Sequence, residues 1–187
     1  MPKSNSDKRV RLIDAAAELA YRRGFGETAL ADIARRAQVP LGNVYYYFKT
    51  KEEIGEAIIE RRLAEFQSLR EAWDKLESPK RRLQALVELT LGNRGNLARS
   101  GCPIGSFCSE LQKGEGPLAR NAARPFAEAQ KWVEAQFAAL GTGRQKKALA
   151  LHLLAALQGV SLLAHSFGDP ELVVLEATHL KRWIDEL

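Results

Sequence analysis

Two helical periods interrupted by Gln38-Val39-Pro40-Leu41-Gly42 constrain this chain more than any other feature. Before the interruption, Leu30, Ile33, Ala34 and Ala37 recur at i, i+3, i+4 and i+7, while Asp32, Arg35 and Arg36 take the other face. That is the pattern of an amphipathic helix. Thr28 stands just before it as a candidate N-cap. After the interruption, Val44 and Phe48 lie four residues apart with Tyr45, Tyr46 and Tyr47 between them, which predicts a second short helix. Two short helices across a tight turn make a helix-turn-helix.

Charge points the same way once it is divided. The chain carries a formal +5, but residues 1–51 hold 10 Lys/Arg against 5 Asp/Glu, and residues 52–187 hold 18 against 18. The whole excess lies with the helix-turn-helix, as binding a polyanion through one end requires, although a solvated helix surface would carry the same excess. Residues 1–9 lack the apolar core of a signal peptide. The two cysteines, spaced C-x5-C, form neither a disulfide framework nor a zinc signature. A reducing cytoplasm is therefore expected. Residues 148–167 contain no Asp, Glu, Lys or Arg and are long enough to span a bilayer, but His152, Gln158, Ser161, His165 and Ser166 are costly in hydrocarbon. A helix covered by protein is expected there, and no membrane.

The remaining pattern is helical throughout, giving an all-α fold of about nine helices with no strand. Residues 1–7 read as an arm, and Leu12, Ala16, Leu19 and Ala20 mark a first helix from about residue 8 to Gly24. A long helix is expected over 51–76, then one restarting at Ser78-Pro79 and weakening at Gly92-Asn93-Arg94-Gly95. Another runs from Pro103 to about 112, and one over 117–140 should bend near Pro125. Two more cover about 144–167 and 170–186. No G-x-S-x-G, nucleotide loop or metal-ligand spacing around His152, His165 and His179 suggests catalysis, so neither an enzyme nor a cofactor or metal is expected.

The run G-F…T…L-A-D-I-A-R-R-A-Q-V-P…G-N-V-Y-Y-Y-F-K-T-K-E-E-I, over about residues 8–60, resembles the DNA-binding domain of the TetR (tetracycline-repressor-type) family of bacterial transcriptional regulators. Its Y-x-Y-F-x-x-K-E ending is the most distinctive part. Two positions depart from the family pattern: Gln38 replaces a helix-ending glycine, and Pro40 stands where a serine is frequent. The resemblance implies an N-terminal three-helix DNA-binding domain, 1–50, and a ligand-binding and dimerisation domain, 51–187. Leu41, Gly42 and Asn43 would face base edges, with Asn43 suited to adenine and Leu41 to a thymine methyl. Tyr45, Tyr46, Tyr47, Lys51 and Thr28 would meet phosphates, Tyr45 being the tyrosine expected to be partly structural.

The resemblance further implies a small-molecule inducer bound among the middle helices, with Phe66, Phe107 and Trp132 as candidate lining from a wider aromatic set. Cys102, placed before Pro103 at a helix start, is the candidate sensor residue. The G-C…E-L arrangement of Gly101-Cys102 and Glu110-Leu111 resembles family members that respond to electrophiles through a cysteine at this position. Leu151, Ala155, Gly159 and Leu162, with Leu175 and Trp183, would form a homodimer seam. The expected function is a cytoplasmic, nucleoid-associated repressor of an inverted-repeat operator, released by its inducer. A helical enzyme or ligand carrier with an incidental motif is the rival.

Overall fold

The computed structural model describes residues 5–187, with side chains from residue 7 onward. Among the described residues there are eleven α-helices, one turn of 3-10 helix at Gly143–Gln145 and no strand. The first four helices are α1 (Asn5–Arg23), α2 (Leu30–Ala37), α3 (Leu41–Tyr47) and α4 (Lys51–Trp73). Then come α5 (Pro79–Gly92), α6 (Arg94–Ser100), α7 (Pro103–Leu111) and α8 (Pro117–Asn121). The last are α9 (Arg124–Ala139), α10 (Lys146–Phe167) and α11 (Glu171–Glu186). The first helix starts at Asn5, so only residues 1–4 of the expected arm lie outside the described residues. Where weakening was expected after Gly92, Asn93 ends one helix and opens the next. The expected bend near Pro125 is instead a break after Asn121, and Pro125 sits in the first turn of α9, where its missing N–H removes no helical bond.

The chain divides into two compact units: residues up to Ala64 with Ser106–Arg124, and Glu65–Gly105 with Pro125–Leu187. In the first unit Leu12 and Ala16 of α1, Ile33 of α2, Val44 of α3 and Ile54 and Ile58 of α4 form the centre of one core. Three short helices alone would bury too little apolar surface to be more than marginal. The deficit is met by α7 and α8, whose Phe107, Leu111 and Leu118 join the same core. This accounts for a glycine inside α4, a position that costs about 1 kcal/mol relative to Ala. A Cβ on Gly55 would lie 2.7 Å from Leu118 Cδ2 and 3.1 Å from Phe25 Cζ.

The second unit has its own core, with Leu83 and Val87 of α5, Val133 and Phe137 of α9, Leu153 of α10, and Leu180 and Ile184 of α11 fully buried or nearly so. The α5–α11 seam is closed at its edge by Gln84 Nε2 donating to Asp185 Oδ1 at 2.7 Å and by a Lys181–Glu88 ion pair at 2.9 Å. A smaller cluster of Leu97, Ala98, Val160, Ala164 and Val173 joins α6, α10 and α11.

Candidate nucleic-acid interface

The turn between α2 and α3 is set by backbone geometry. Gln38 ends α2 in the left-handed region, at φ 54° and ψ 44°, the only non-glycine at positive φ among the described residues. The Val39 N–H returns to Ala34 O at 3.0 Å and the Gln38 N–H to Arg35 O at 3.2 Å, so the last carbonyls of α2 are satisfied. Val39 is buried beneath the turn, and Pro40 opens α3 with its φ already fixed.

Along α3 only Val44 is buried. Leu41, Gly42, Asn43, Tyr45 and Tyr46 are exposed, Tyr46 by 70%. A Cβ on Gly42 would meet nothing within 4 Å. The protein itself therefore gives no reason for a glycine there. The helix stops at Tyr47, because Phe48 is extended (φ −138°, ψ 119°) and turns its ring into the core. This corrects the expectation for the tyrosines. With Phe48 out of the helix, Val44 alone sets the buried seam, and Tyr47 lies roughly 60° from it while Tyr45 lies about 100° away. Tyr47 is accordingly the half-buried one, packed on the core and 5.0 Å from the Tyr46 ring, whereas Tyr45 is 50% exposed.

Beyond α3, the Thr50 hydroxyl accepts the Glu53 N–H at 3.2 Å and the Glu53 carboxylate accepts the Lys49 N–H at 2.7 Å, a capping arrangement that starts α4. Lys49 Nζ donates to Tyr45 O and Lys51 Nζ to Gly26 O, each at 2.7 Å, and Lys51 also lies 5.0 Å from the Phe25 ring centroid. Among the described residues neither ammonium has a carboxylate at ion-pair distance. Three arginines of the α1–α2 surface are instead compensated: Arg23 and Arg35 pair with Asp32, and Arg36 pairs with Glu18. Positive charge without a paired acid thus stands against α3 at Lys49 and against the α1–α2 loop at Lys51, where an anionic backbone could meet it.

Thr28 is set apart from these residues. It is 1% exposed, its hydroxyl donates to Gly24 O at 2.7 Å, and the N-cap of α2 is Ala29. Its expected roles as cap and phosphate donor are both corrected by this burial. A residue that entered the sequence reading only as part of the G-C…E-L arrangement, with no such role, holds the same loop: Glu110 of α7 accepts the Phe25 N–H at 2.8 Å and also the Gly26 N–H. The bond spans 85 residues of sequence, so no local pattern announces it.

The candidate sensor residues do not form one set. Phe107 belongs to the core of the first unit, 5.4 Å edge-on from Phe25, while Phe66 and Trp132 belong to the second. There Phe66, Trp73 and Trp132 pack on one another at 5.3 to 6.2 Å, and the Trp132 Nε1–H donates to Asp74 Oδ1 at 3.0 Å. Cys102 is half-buried, with its Sγ accepting the Gly105 N–H at 3.3 Å at the start of α7, and Cys108 is buried, with its thiol donating to Ala122 O.

The expected dimer residues occupy the outer face of α10 and part of α11. Ala150, Leu153, Leu157, Val160, Ser161 and Ala164 of α10 face the core, while Leu151, Ala155, Gly159 and Leu162 are exposed, Leu162 by 65%. Leu175 of α11 is 68% exposed. Trp183 is half-buried, 5.8 Å from Phe137 and 4.9 Å from His152.

Residues 12–58 match the family described as "Bacterial regulatory proteins, tetR family". An uncharacterised HTH-type transcriptional regulator in the lacX 3′ region of Lactococcus lactis subsp. lactis is 27% identical over 173 residues, 89% of this chain and 87% of that protein. The HTH-type transcriptional repressor NemR of Escherichia coli (strain K12) is 37% identical over 60 residues, which cover 32% of this chain and only 30% of that repressor. The crystal structure of a TetR transcriptional regulator from Legionella pneumophila shares the fold, with a TM-score of 0.85 over 100% of this chain and 98% of that one at 22% identity. The matched helix-turn-helix, the exposed face of α3 and the shared fold lead to one assignment: residues 12–58 are a DNA-binding domain of the tetR family of bacterial regulatory proteins, carried on a chain with the fold of the TetR-type regulators.

Proposed function

We propose that this regulator represses transcription by binding an inverted-repeat operator as a homodimer, and that a small molecule held by the second unit releases it. The observation that carries the DNA half of this reading is the exposed run Leu41-Gly42-Asn43 at the start of α3, above a buried Val44 and beside Lys49 and Lys51. A recognition helix presents its N-terminal residues to base edges, and twofold symmetry asks for half-sites about 34–36 Å apart or a multiple of that. The repressor sign follows the E. coli relative NemR, a transcriptional repressor. Release requires only that the inducer bind the non-operator arrangement more tightly than the operator-bound one. Family membership sets aside the helical enzyme or carrier.

The homodimer reading rests on the apolar outer face of α10 and α11. By length and composition α10 is also the one helix among the described residues able to cross a membrane. We read it as covered by protein, because its inner face packs in the second core and the helix carries His152, Gln158 and Ser166. A cytoplasmic location, at the nucleoid when DNA is bound, goes with this reading.

The test is a gel shift with the DNA flanking the protein's own coding region, repeated over a salt series. Binding should be sequence-selective and weaken steeply with salt. Equal affinity for flanking and random DNA at every salt concentration would sink the operator reading.

A further inference from the structure

We infer that Glu110 is a positioning residue for DNA binding: from α7 its carboxylate holds the loop between α1 and α2 by two consecutive backbone N–H groups, and so fixes where the helix-turn-helix begins. The inference rests on the DNA-binding reading of α3. Oε2 accepts the Phe25 N–H at 2.8 Å and Oε1 accepts the Gly26 N–H. The loop is shaped to the carboxylate. Gly24 is at φ +92°, and a Cβ there would come within 3.3 Å of Oε2, while one on Gly26 would stand 3.0 Å from Oε1. A side chain at either glycine would push the acid away. One turn before Glu110, Phe107 packs edge-on against Phe25 at 5.4 Å, which fixes the register of α7 against the loop.

Four other polar groups of the loop are occupied from within residues 1–64. The Gly24 N–H goes to Ala20 O, Gly24 O accepts the Thr28 hydroxyl, Phe25 O accepts the Thr28 N–H, and Gly26 O accepts Lys51 Nζ. The Phe25 and Gly26 N–H groups, next to one another in the chain, turn to α7 instead, and the two oxygens of a single carboxylate can accept both. Thr28 and Ala29 follow at once and lead into α2. Glu110 is thus a polar tie that reaches this loop from outside residues 1–64.

The sign of its effect separates this role from simple electrostatics. An acid near a DNA-binding surface repels phosphate, so a bystander glutamate should improve binding when neutralised. A positioning glutamate should do the reverse. The experiment uses the full-length chain, a duplex that the wild type selects from a random-sequence library, and an unselected duplex of equal length. Glu110→Gln keeps the shape but presents one acceptor and one NH2 to two donors. It should weaken binding to the selected duplex roughly tenfold, the scale of one charge-assisted hydrogen bond. Affinity for the unselected duplex should stay level or rise, and Glu110→Ala should enlarge the split. A merely structural role would lower the melting temperature and leave the ratio of the two affinities unmoved, which overturns the inference. So would tighter binding of the selected duplex by both variants.

Should the variants fail to fold, amide exchange in the wild type decides: the exposed Gly26 amide and the Phe25 amide should exchange slowly, and free exchange of both overturns the clamp. A wild type that enriches no sequence overturns the DNA-binding reading instead, with the amide data still showing whether the clamp exists.

Discussion

Gly42 on α3 and Gly159 on α10 occupy the same physical situation in different units. Each lies inside a helix on its exposed side, and a Cβ at either would meet nothing within 4 Å. Gly55 is the contrast, since Leu118 and Phe25 exclude a side chain there. A helical glycine with no internal reason leaves room for something to approach the backbone closely. What approaches is legible from the neighbours. Around Gly42 stand Asn43, Tyr45 and Tyr46, exposed side chains that carry hydrogen-bonding groups. Around Gly159 stand Leu151, Ala155 and Leu162, which offer none. The first face suits base edges and phosphates, and the second suits another apolar surface.

The strongest way to break this comparison is Gly159→Arg. Within a single chain the substitution enters open space, and Arg is the better helix former by roughly 0.8 kcal/mol, so the isolated chain should be no less stable. In a seam between copies it would place like, unpaired charges across the twofold axis, a burial costing on the order of 3–5 kcal/mol. Light scattering should show a homodimer become monomer, or aggregate. A dimer with unaltered dissociation would place the interface away from α10.

On the DNA side, Asn43→Ala should relax preference at one base position by about 1–3 kcal/mol while leaving the salt slope unchanged, measured by binding to single-base variants of the selected site. Gly42→Ala sharpens the point because its two effects carry opposite signs. With nothing near the added methyl, the folded chain should gain about 0.5–1 kcal/mol in denaturant unfolding. Specific DNA affinity should fall, since the methyl stands where a groove edge must come close. If stability and affinity rise together, Gly42 is not at the interface.

The parts of this molecule that sequence made legible are those encoded by local period. The Leu30-Ile33-Ala34-Ala37 face, the left-handed end at Gln38 and the exposed start of α3 all follow from residues within a few turns of one another. The parts that escaped depend on tertiary choice. Spacing alone put Phe48 in the helix and therefore chose the wrong tyrosine as structural, although the backbone leaves helical geometry one residue earlier. Thr28 has the residue type of a cap and the burial of a core residue, because Gly24 O lies within reach of its hydroxyl. Phe107 and Trp132 are alike in sequence as aromatics on helical faces, yet they serve different cores. The support that α7 and α8 lend to the first unit is invisible to any pattern within residues 1–64.

The smallest expected effect lies at the turn that joins the two helices of the motif. Gln38 holds φ 54°, where a side chain costs on the order of 1 kcal/mol relative to glycine, and its side chain makes no hydrogen bond that offsets this. Gln38→Gly should therefore relieve strain in the folded state while adding entropy to the unfolded one, for a net gain of about 0.5 kcal/mol, read as a shift in urea midpoint at constant m-value. The bonds from Gln38 N–H to Arg35 O and from Val39 N–H to Ala34 O involve backbone alone and should survive. DNA affinity should then be unchanged, because the substitution leaves the face of α3 as it is. A loss of selectivity without a loss of stability would show that the Gln38 side chain belongs to the DNA-binding face, and would extend that face one turn back from Leu41.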